Sequence, residues 1–178
     1  GALINLAESF ATVLENMKET RPTLMVSVPR LFEKLYSGIK AQADKAPALK
    51  KKLFEWALGV SDRAVDYLVQ RKPLPPVIKV QYDIAEAVVF SKMRSALGLD
   101  RIKIFISGGG PLSKEIDRFF NGIGVAVHNG YGLTETSPVT NVNRFDVFEF
   151  GSVGPALADT RVMIARDPLL EQERARAD

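Results

Sequence analysis

Tyr131, Thr134 and Glu135 stand close together in the stretch HNGYGLTETSPVT, residues 128 to 140, and their side chains are of the kinds that hold a nucleotide. Tyr131 lies between Gly130 and Gly132, which have no side chains to cover its ring, so a ring face is open to a flat heteroaromatic such as a purine. Thr134 can donate its hydroxyl to a phosphate oxygen. Glu135 is a hard oxygen ligand suited to Mg²⁺, an ion that takes one or two carboxylates beside phosphates and water. A structural account fits the same residues: a Gly-Tyr-Gly turn, then a helix N-cap at Thr134 or Thr136 with an acid in the first turn. Pattern alone does not separate the two.

A second glycine cluster, SGGGPLS at 107 to 113, follows the apolar run IKIFIS. Gly108, Gly109 and Gly110 let the backbone turn sharply and approach a ligand, and the helix start beyond Pro111 offers free N–H groups to an anion. The stretch lacks the Gly-Lys-Ser/Thr ending of a phosphate-binding P-loop. Ser113 replaces the last glycine of a dinucleotide fingerprint, and no acid follows about 20 residues on to hold a ribose. An NAD-type oxidoreductase is therefore disfavoured, and a plain structural turn explains this cluster equally well when it is taken alone. Ser107 is expected to cap the turn.

Composition removes other chemistries. The chain has 178 residues, no cysteine and one histidine, His128. Disulfides, thiolate nucleophiles, thiolate metal sites and multi-histidine metal sites are excluded. Hydrophobic residues at 46% and charged residues at 25% are ordinary for a globular chain with its own core. No apolar run reaches the roughly 18 to 20 residues that span a bilayer. Residues 1 to 14 carry Glu8 and no basic start, so no signal peptide is read and a cytoplasmic location is expected. The net charge of +3 arises mainly between Arg30 and Arg94, including Lys50, Lys51 and Lys52. These lysines alternate with Ala and Leu at helical spacing, and no aromatics interleave for base stacking. The stretch reads as a solvated helix face, with no nucleic-acid partner.

The elements that must position these residues follow from periodicity. Residues 5 to 18 read as an amphipathic helix with Leu6, Phe10, Val13, Leu14 and Met17 on one stripe. Residues 23 to 28 read as a buried strand, and Pro29 opens a helix carrying Phe32, Leu35, Tyr36 and Ile39 inward. Longer helices are predicted over 47 to 70 and 77 to 97, the second with Val77, Val80, Ile84, Val88 and Val89 inward. Residues 102 to 107 form a strand, 113 to 121 a short helix and 125 to 128 a strand, with further β structure at 153 to 157 and 160 to 165. Alternating strands and helices imply an α/β fold with a largely parallel sheet flanked by helices. Both glycine clusters then fall at strand carboxyl ends, where such sheets bind ligands.

Four ordered motifs carry a resemblance. YGLTETSPV closely resembles the adenine-binding motif of the AMP-forming acyl-CoA synthetases, members of the adenylate-forming superfamily. SGGGPL at 107 to 112 matches that family's second nucleotide segment, and GSVGPAL at 151 to 157 a third. PTLMVSVPRLFEKLY at 22 to 36, with the helical insert at 47 to 97, is similar to the long-chain fatty acid branch. The resemblance extends to about residue 165.

What the resemblance implies is a two-step ligase using ATP, Mg²⁺ and coenzyme A on a fatty acid. Tyr131 stacks on adenine, and Asn129 and Gly130 lie at the adenine edge. Gly108, Gly109, Gly110 and Pro111 line the adenine and acyl pocket with backbone, and Gly132 keeps the tyrosine uncovered. Thr134 bonds the α-phosphate and Glu135 binds Mg²⁺, which makes these two the catalytic candidates. The alternatives are an adenylating enzyme that loads an acyl carrier protein, and a nucleotide-binding module without turnover. The family's lysine-bearing phosphate loop, its ribose-binding aspartate and its C-terminal catalytic lysine have no counterpart here. Residues 1 to 178 are therefore expected to be a single internal fragment of the N-terminal adenylating domain, inactive alone, with a poorly ordered charged tail at 166 to 178. Peripheral membrane contact is compatible with a fatty acid substrate, and oligomeric state is not specified.

Overall fold

The computed structural model describes residues 3–163. Three parallel strands and one antiparallel strand form a single open sheet in the order β1-β2-β3-β4. The strands are β1 (Leu24–Ser27), β2 (Ile104–Ser107), β3 (Val127–Gly132) and β4 (Val139–Val142). The helices are α1 (Val13–Thr20), α2 (Pro29–Asp44), α3 (Ala48–Val69), α4 (Pro76–Ala85), α5 (Ser91–Ala96) and α6 (Lys114–Gly122). This is the expected α/β architecture with a mostly parallel sheet.

β2 alternates half-buried Ile104 and Ile106 with buried Phe105 and Ser107, so each strand residue faces the layer opposite to its neighbour's. Phe105 faces the helices. Its ring lies 4.3 Å from that of Phe32 on α2, and Phe32 meets Phe120 of α6 edge-on at 5.4 Å. Phe32, Phe105 and Phe120 are all fully buried, and with Leu31, Leu35 and Val127 they form the centre of the core. α3 packs across α6, and Arg118 of α6 reaches Asp62 and Asp66 of α3.

Several expectations are corrected. The helix expected over 5 to 18 begins only at Val13, where Val13 and Met17 gain burial, while Leu6 stays 89% exposed. Ahead of it, Ser9 and Thr12 bond each other, and a local side-chain bond of this kind competes with helix. The run at 23 to 28 is not fully buried: Leu24 and Val26 are exposed, because the described helices cover one face of the sheet. Arg30 lies over the Phe10 ring and pairs with no acid among the described residues.

The helix expected over 77 to 97 exists but is interrupted by a π turn at Glu86–Phe90, and it is rolled away from its expected orientation. Val77, Val80, Ile84 and Val88 face outward. Val89 packs inward as expected, and the rest of the inward face is Tyr82, Ala85 and Phe90. Both faces are apolar, so periodicity could not choose between them. Polar anchors decide it: Tyr82 donates to the Gly122 carbonyl at 3.0 Å, and Arg94 joins Glu86 to the Ile123 carbonyl. Burial pushes the Tyr82 hydroxyl up to about 12. In α3, Val60 and Ala64 are buried, whereas Leu49 is exposed and Trp56 sits at the edge of the packed face.

β3 starts two residues later than expected and continues through Gly130-Tyr131-Gly132, so this stretch is a strand end rather than a turn. β4, absent from the sequence reading, pairs with it. The β structure expected at 153 to 157 reduces to one bridge, Asn141 with Ala156, since Pro155 has no N–H to extend a ladder. Residues 161 to 163 form no strand, and 164 to 165, like the tail at 166 to 178, lie outside the described residues.

Candidate functional site

The two glycine clusters meet at one end of the sheet. β2 and β3 are parallel neighbours in the register Ser107 with Asn129, so Gly108, just past the carboxyl end of β2, lies beside Gly130 of β3. A Cβ added to Gly108 would lie 3.6 Å from the Gly130 carbonyl oxygen. Gly109 adopts φ +78°, a conformation that side chains resist, and this turns the chain out of β2 toward α6. Pro111 is exposed at the lip, and Ser113, in place of the fingerprint glycine, caps α6 by accepting the Ile116 N–H at 3.3 Å.

Tyr131 is 51% exposed at the end of β3, flanked by bare glycine backbone. Thr134 and Glu135 follow in a single 3₁₀ turn, Thr134–Thr136, not an α-helix N-terminus. Thr136 closes that turn: its hydroxyl accepts the Leu133 N–H at 2.9 Å. Thr134 and Glu135 are exposed, and their side chains have no hydrogen-bond or ion-pair partner among the described residues. An exposed carboxylate without a partner among the described residues, in the turn that follows Gly130-Tyr131-Gly132, suits a cation whose other ligands come from phosphate and water. Among the described residues no group of three or more His, Cys, Asp or Glu could cage a metal alone. The residues present thus fit a nucleotide-borne Mg²⁺ rather than a resident ion.

Asn129 does not project freely. Its side chain is buried, and Nδ2 donates to Asp117 Oδ2 at 2.8 Å, while its carbonyl accepts the Asn143 N–H at 2.8 Å. Asp117 on α6 is fully buried and also accepts Asn121 Nδ2 at 2.9 Å. Burial pushes its carboxyl up to about 6 against the opposing hydrogen bonds from Asn129, Asn121 and the Gly151 backbone. Asp117 is not among the site residues expected from the sequence. The signal was its place beside Ile116 and Phe120 on the inward stripe, one turn before Asn121.

This gives a testable pH dependence. The folded-state pKa of Asp117 is raised, so its favourable contribution is fully present below about pH 4 and is lost as pH rises through about 6. In Asp117→Asn, the urea stability profile between pH 4 and 6 is expected to differ in slope from the parent, with a cumulative difference of roughly 2 kcal/mol. The Asp117 carboxyl ¹³C shift should titrate near pH 6; a midpoint near 4 overturns the assignment.

Ser107 does not cap the turn. Its hydroxyl is buried on the helix-facing side without a partner among the described residues. His128, on the other face, is held by Nδ1 to the Asn143 carbonyl at 2.8 Å and packed edge-on against Phe145 at 4.3 Å. Burial holds the imidazole pKa below its usual value. Its Nε2 is buried and unpartnered among the described residues. His128, Ile104, Ile106, Val142 and Phe145 line an open groove of about 390 Å³ on this face of the sheet, with Arg144 and Asp146 at its edge.

Comparison with known proteins decides the family. The model of the AMP-binding enzyme family matches residues 1–175. The chain belongs to the AMP-binding enzymes. Similar members include human Long-chain-fatty-acid--CoA ligase ACSBG2, 33% identical over 159 residues, covering 86% of this chain and 23% of that protein. The Arabidopsis thaliana Probable acyl-activating enzyme 16, chloroplastic, is 34% identical over 84% of this chain and 24% of its own length. Mycobacterium bovis Long-chain-fatty-acid--CoA ligase FadD15 is 30% identical over 92% and 27%. The chain thus spans about a quarter of the length of these AMP-binding relatives. No helix among the described residues is long and apolar enough to cross a membrane.

Proposed function

We propose that this chain is part of the adenylating domain of a fatty acid–coenzyme A ligase, and that the crevice between Gly108 and Gly130 is its adenylate site. The observation that carries the reading is that Gly108, past the end of β2, lies beside Gly130 of β3, the strand that leads through half-exposed Tyr131 to Glu135, which has no partner among the described residues. Tyr131 offers its ring face to adenine, with Asn129 and Gly130 at the base edge. Gly108 to Pro111 and Gly132 let backbone approach the nucleotide. Thr134 donates to the α-phosphate, and Glu135 holds Mg²⁺, which neutralises phosphate charge when bound.

The reaction proceeds in two displacements. The fatty carboxylate attacks the α-phosphorus of ATP, expelling pyrophosphate and leaving acyl-AMP. The thiol of coenzyme A then attacks the acyl carbon and expels AMP. Neither step needs a covalent bond to the protein, so a chain without cysteine is no obstacle. The work is in-line positioning and charge neutralisation. The mainly apolar groove lined by Ile104, Ile106, His128 and Val142 has the character to take an alkyl chain. The long-chain names of two of the relatives favour a long fatty acid. The 178 residues alone, without a lysine-bearing phosphate loop, do not turn over in this reading.

The test is made in a protein that extends this chain at both ends. With ATP, Mg²⁺ and fatty acids of graded length, pyrophosphate release and hydroxylamine-trapped acyl groups should appear together. Their rate at limiting acid should rise with each added methylene until the groove is full, since each buried CH₂ contributes about 0.8 kcal/mol. Absence of pyrophosphate with every acid overturns the ligase reading. Transfer to an acyl carrier protein in preference to coenzyme A overturns the choice of acceptor.

A further inference from the structure

Asn129 carries a donor and an acceptor on one carboxamide, and something must decide which faces the base. Asp117 is placed to do so. An ionised carboxylate only accepts hydrogen bonds, so the group opposite it must be an N–H. Asn129 Nδ2 accordingly points at Asp117 Oδ2, at 2.8 Å. The carboxamide oxygen Oδ1 then points away. No residue among those described donates to it, and it is not wholly sealed, although Asn129 as a whole is only 6% exposed. Asp117 cannot rotate out of this arrangement cheaply. Its other oxygen holds Asn121 Nδ2, and Asn121 is itself fixed because its Oδ1 accepts the Val127 N–H at 3.2 Å. α6 and β3 are thus tied through one buried carboxylate that the sheet core does not require.

We propose that Asp117 is a specificity-determining, positioning residue: by holding Asn129 Nδ2 it forces Asn129 Oδ1 toward the base edge, so that the crevice accepts a hydrogen bond from the 6-amino group of adenine and repels a 6-oxo purine. This rests on the adenylate site proposed above. A purine with an amino group at position 6 donates there, whereas inosine and guanine present a carbonyl oxygen, and oxygen facing oxygen is unfavourable. Buried polar groups left without a partner discriminate more strongly than a change in apolar contact does.

Among the described residues, no other charged side chain is positioned to fix the Asn129 carboxamide. Arg118, next on α6, is turned to Asp62 and Asp66, and the Lys114 stem lies against Gly151. His128 precedes Asn129 in β3 but faces the other side of the sheet, bonded to Asn143. The donors on Asp117 are Asn129, Asn121 and the backbone of Gly151.

The test compares Mg²⁺ complexes of ATP, inosine triphosphate and the 6-unsubstituted purine riboside triphosphate. Binding is measured to the extended protein and to its Asp117→Asn variant. An asparagine at this position can turn its own N–H₂ toward Asn129, which lets the Asn129 carboxamide flip and present Nδ2 to the base. The ratio of ATP to inosine triphosphate affinity is expected to fall by about tenfold or more, while the 6-unsubstituted analogue keeps its affinity. The double variant Asp117→Asn with Asn129→Asp removes the Asn129 donor altogether, keeps an acceptor at the base edge and should restore the preference for ATP. An equal loss for all three nucleotides in Asp117→Asn would show Asp117 to be structural only. An unchanged ratio with intact binding would overturn the proposal and leave the adenylate site standing. Failure of the parent protein to bind ATP at all would overturn the adenylate site and this inference with it. In the chain by itself, the side-chain amide resonances of Asn129 report the same orientation: nuclear Overhauser contacts from Nδ2 protons to α6 are expected in the parent and their loss in Asp117→Asn, and their absence in the parent is a second refutation.

Discussion

Replacing Glu135 by alanine is expected to cut the rate of acyl-adenylate formation by about 10²- to 10³-fold while leaving the fold intact. The two halves of that expectation come from different observations. Glu135 is exposed and has no hydrogen-bond or ion-pair partner among the described residues, so its removal breaks no internal contact. A surface change of this kind typically moves stability by less than about 0.5 kcal/mol. The rate effect follows from charge. As the α-phosphorus is attacked, negative charge on the phosphates grows and shifts, and a group aimed at developing charge contributes roughly that factor when it is deleted singly. Pre-steady-state trapping of the acyl-adenylate in the extended protein measures it. Glu135→Gln, which keeps size and loses charge, should fall nearly as far, because an amide is a poor ligand for a hard divalent cation. Excess Mg²⁺ should recover part of the loss in either variant. An Ala variant within about threefold of the parent would remove Glu135 from the site.

Much of this arrangement was legible before any coordinates, because the informative residues sit where alternatives are few. The triple glycine after IFIS, and the tyrosine between glycines before Thr-Glu-Thr, each admit a structural reading alone; their order and placement at strand ends are what single them out together. The fold needed only the strand and helix order to bring the two clusters to one sheet end. The failures share one physical cause. Val77, Val80, Ile84 and Val88 make as good an apolar stripe as the face that is buried, and the choice was made by hydrogen bonds from Tyr82 and Arg94 to carbonyls at Gly122 and Ile123. Asp117 was missed for a related reason. A buried acid is recognised by its partners, and Asn121 and Asn129 become its partners only when α6 lies on β3. β4 is polar, short and held mainly by pairing with β3, so it left little trace in the pattern.

Gly132→Ala should be the most damaging of the small substitutions in the binding loop. A Cβ on Gly132 would lie 2.6 Å from the Pro138 carbonyl carbon and 2.8 Å from the Val139 Cα, and closer still to the Pro138 carbonyl oxygen. These are backbone atoms, so no side chain can swing aside. The segment carrying them is also pinned. Thr136 Oγ1 bonds the Pro138 carbonyl at 3.1 Å, and Thr140 Oγ1 bonds the Tyr131 carbonyl at 3.3 Å across the strand pair. The β3–β4 register already shifts between Tyr131 and Gly132, so the ladder has no further slack there. An alanine must therefore pry β4 from β3 and carry Tyr131, Thr134 and Glu135 with it. Overpacking against fixed atoms costs about 1–3 kcal/mol, and displacement of the three side chains should remove adenylation by at least about 10²-fold. Gly130→Ala is the matched control. Its added Cβ meets nothing nearer than 3.8 Å, so stability should change by less than about 1 kcal/mol. If both variants behave alike in urea unfolding and in adenylation, the loop is not built on a close backbone approach at Gly132.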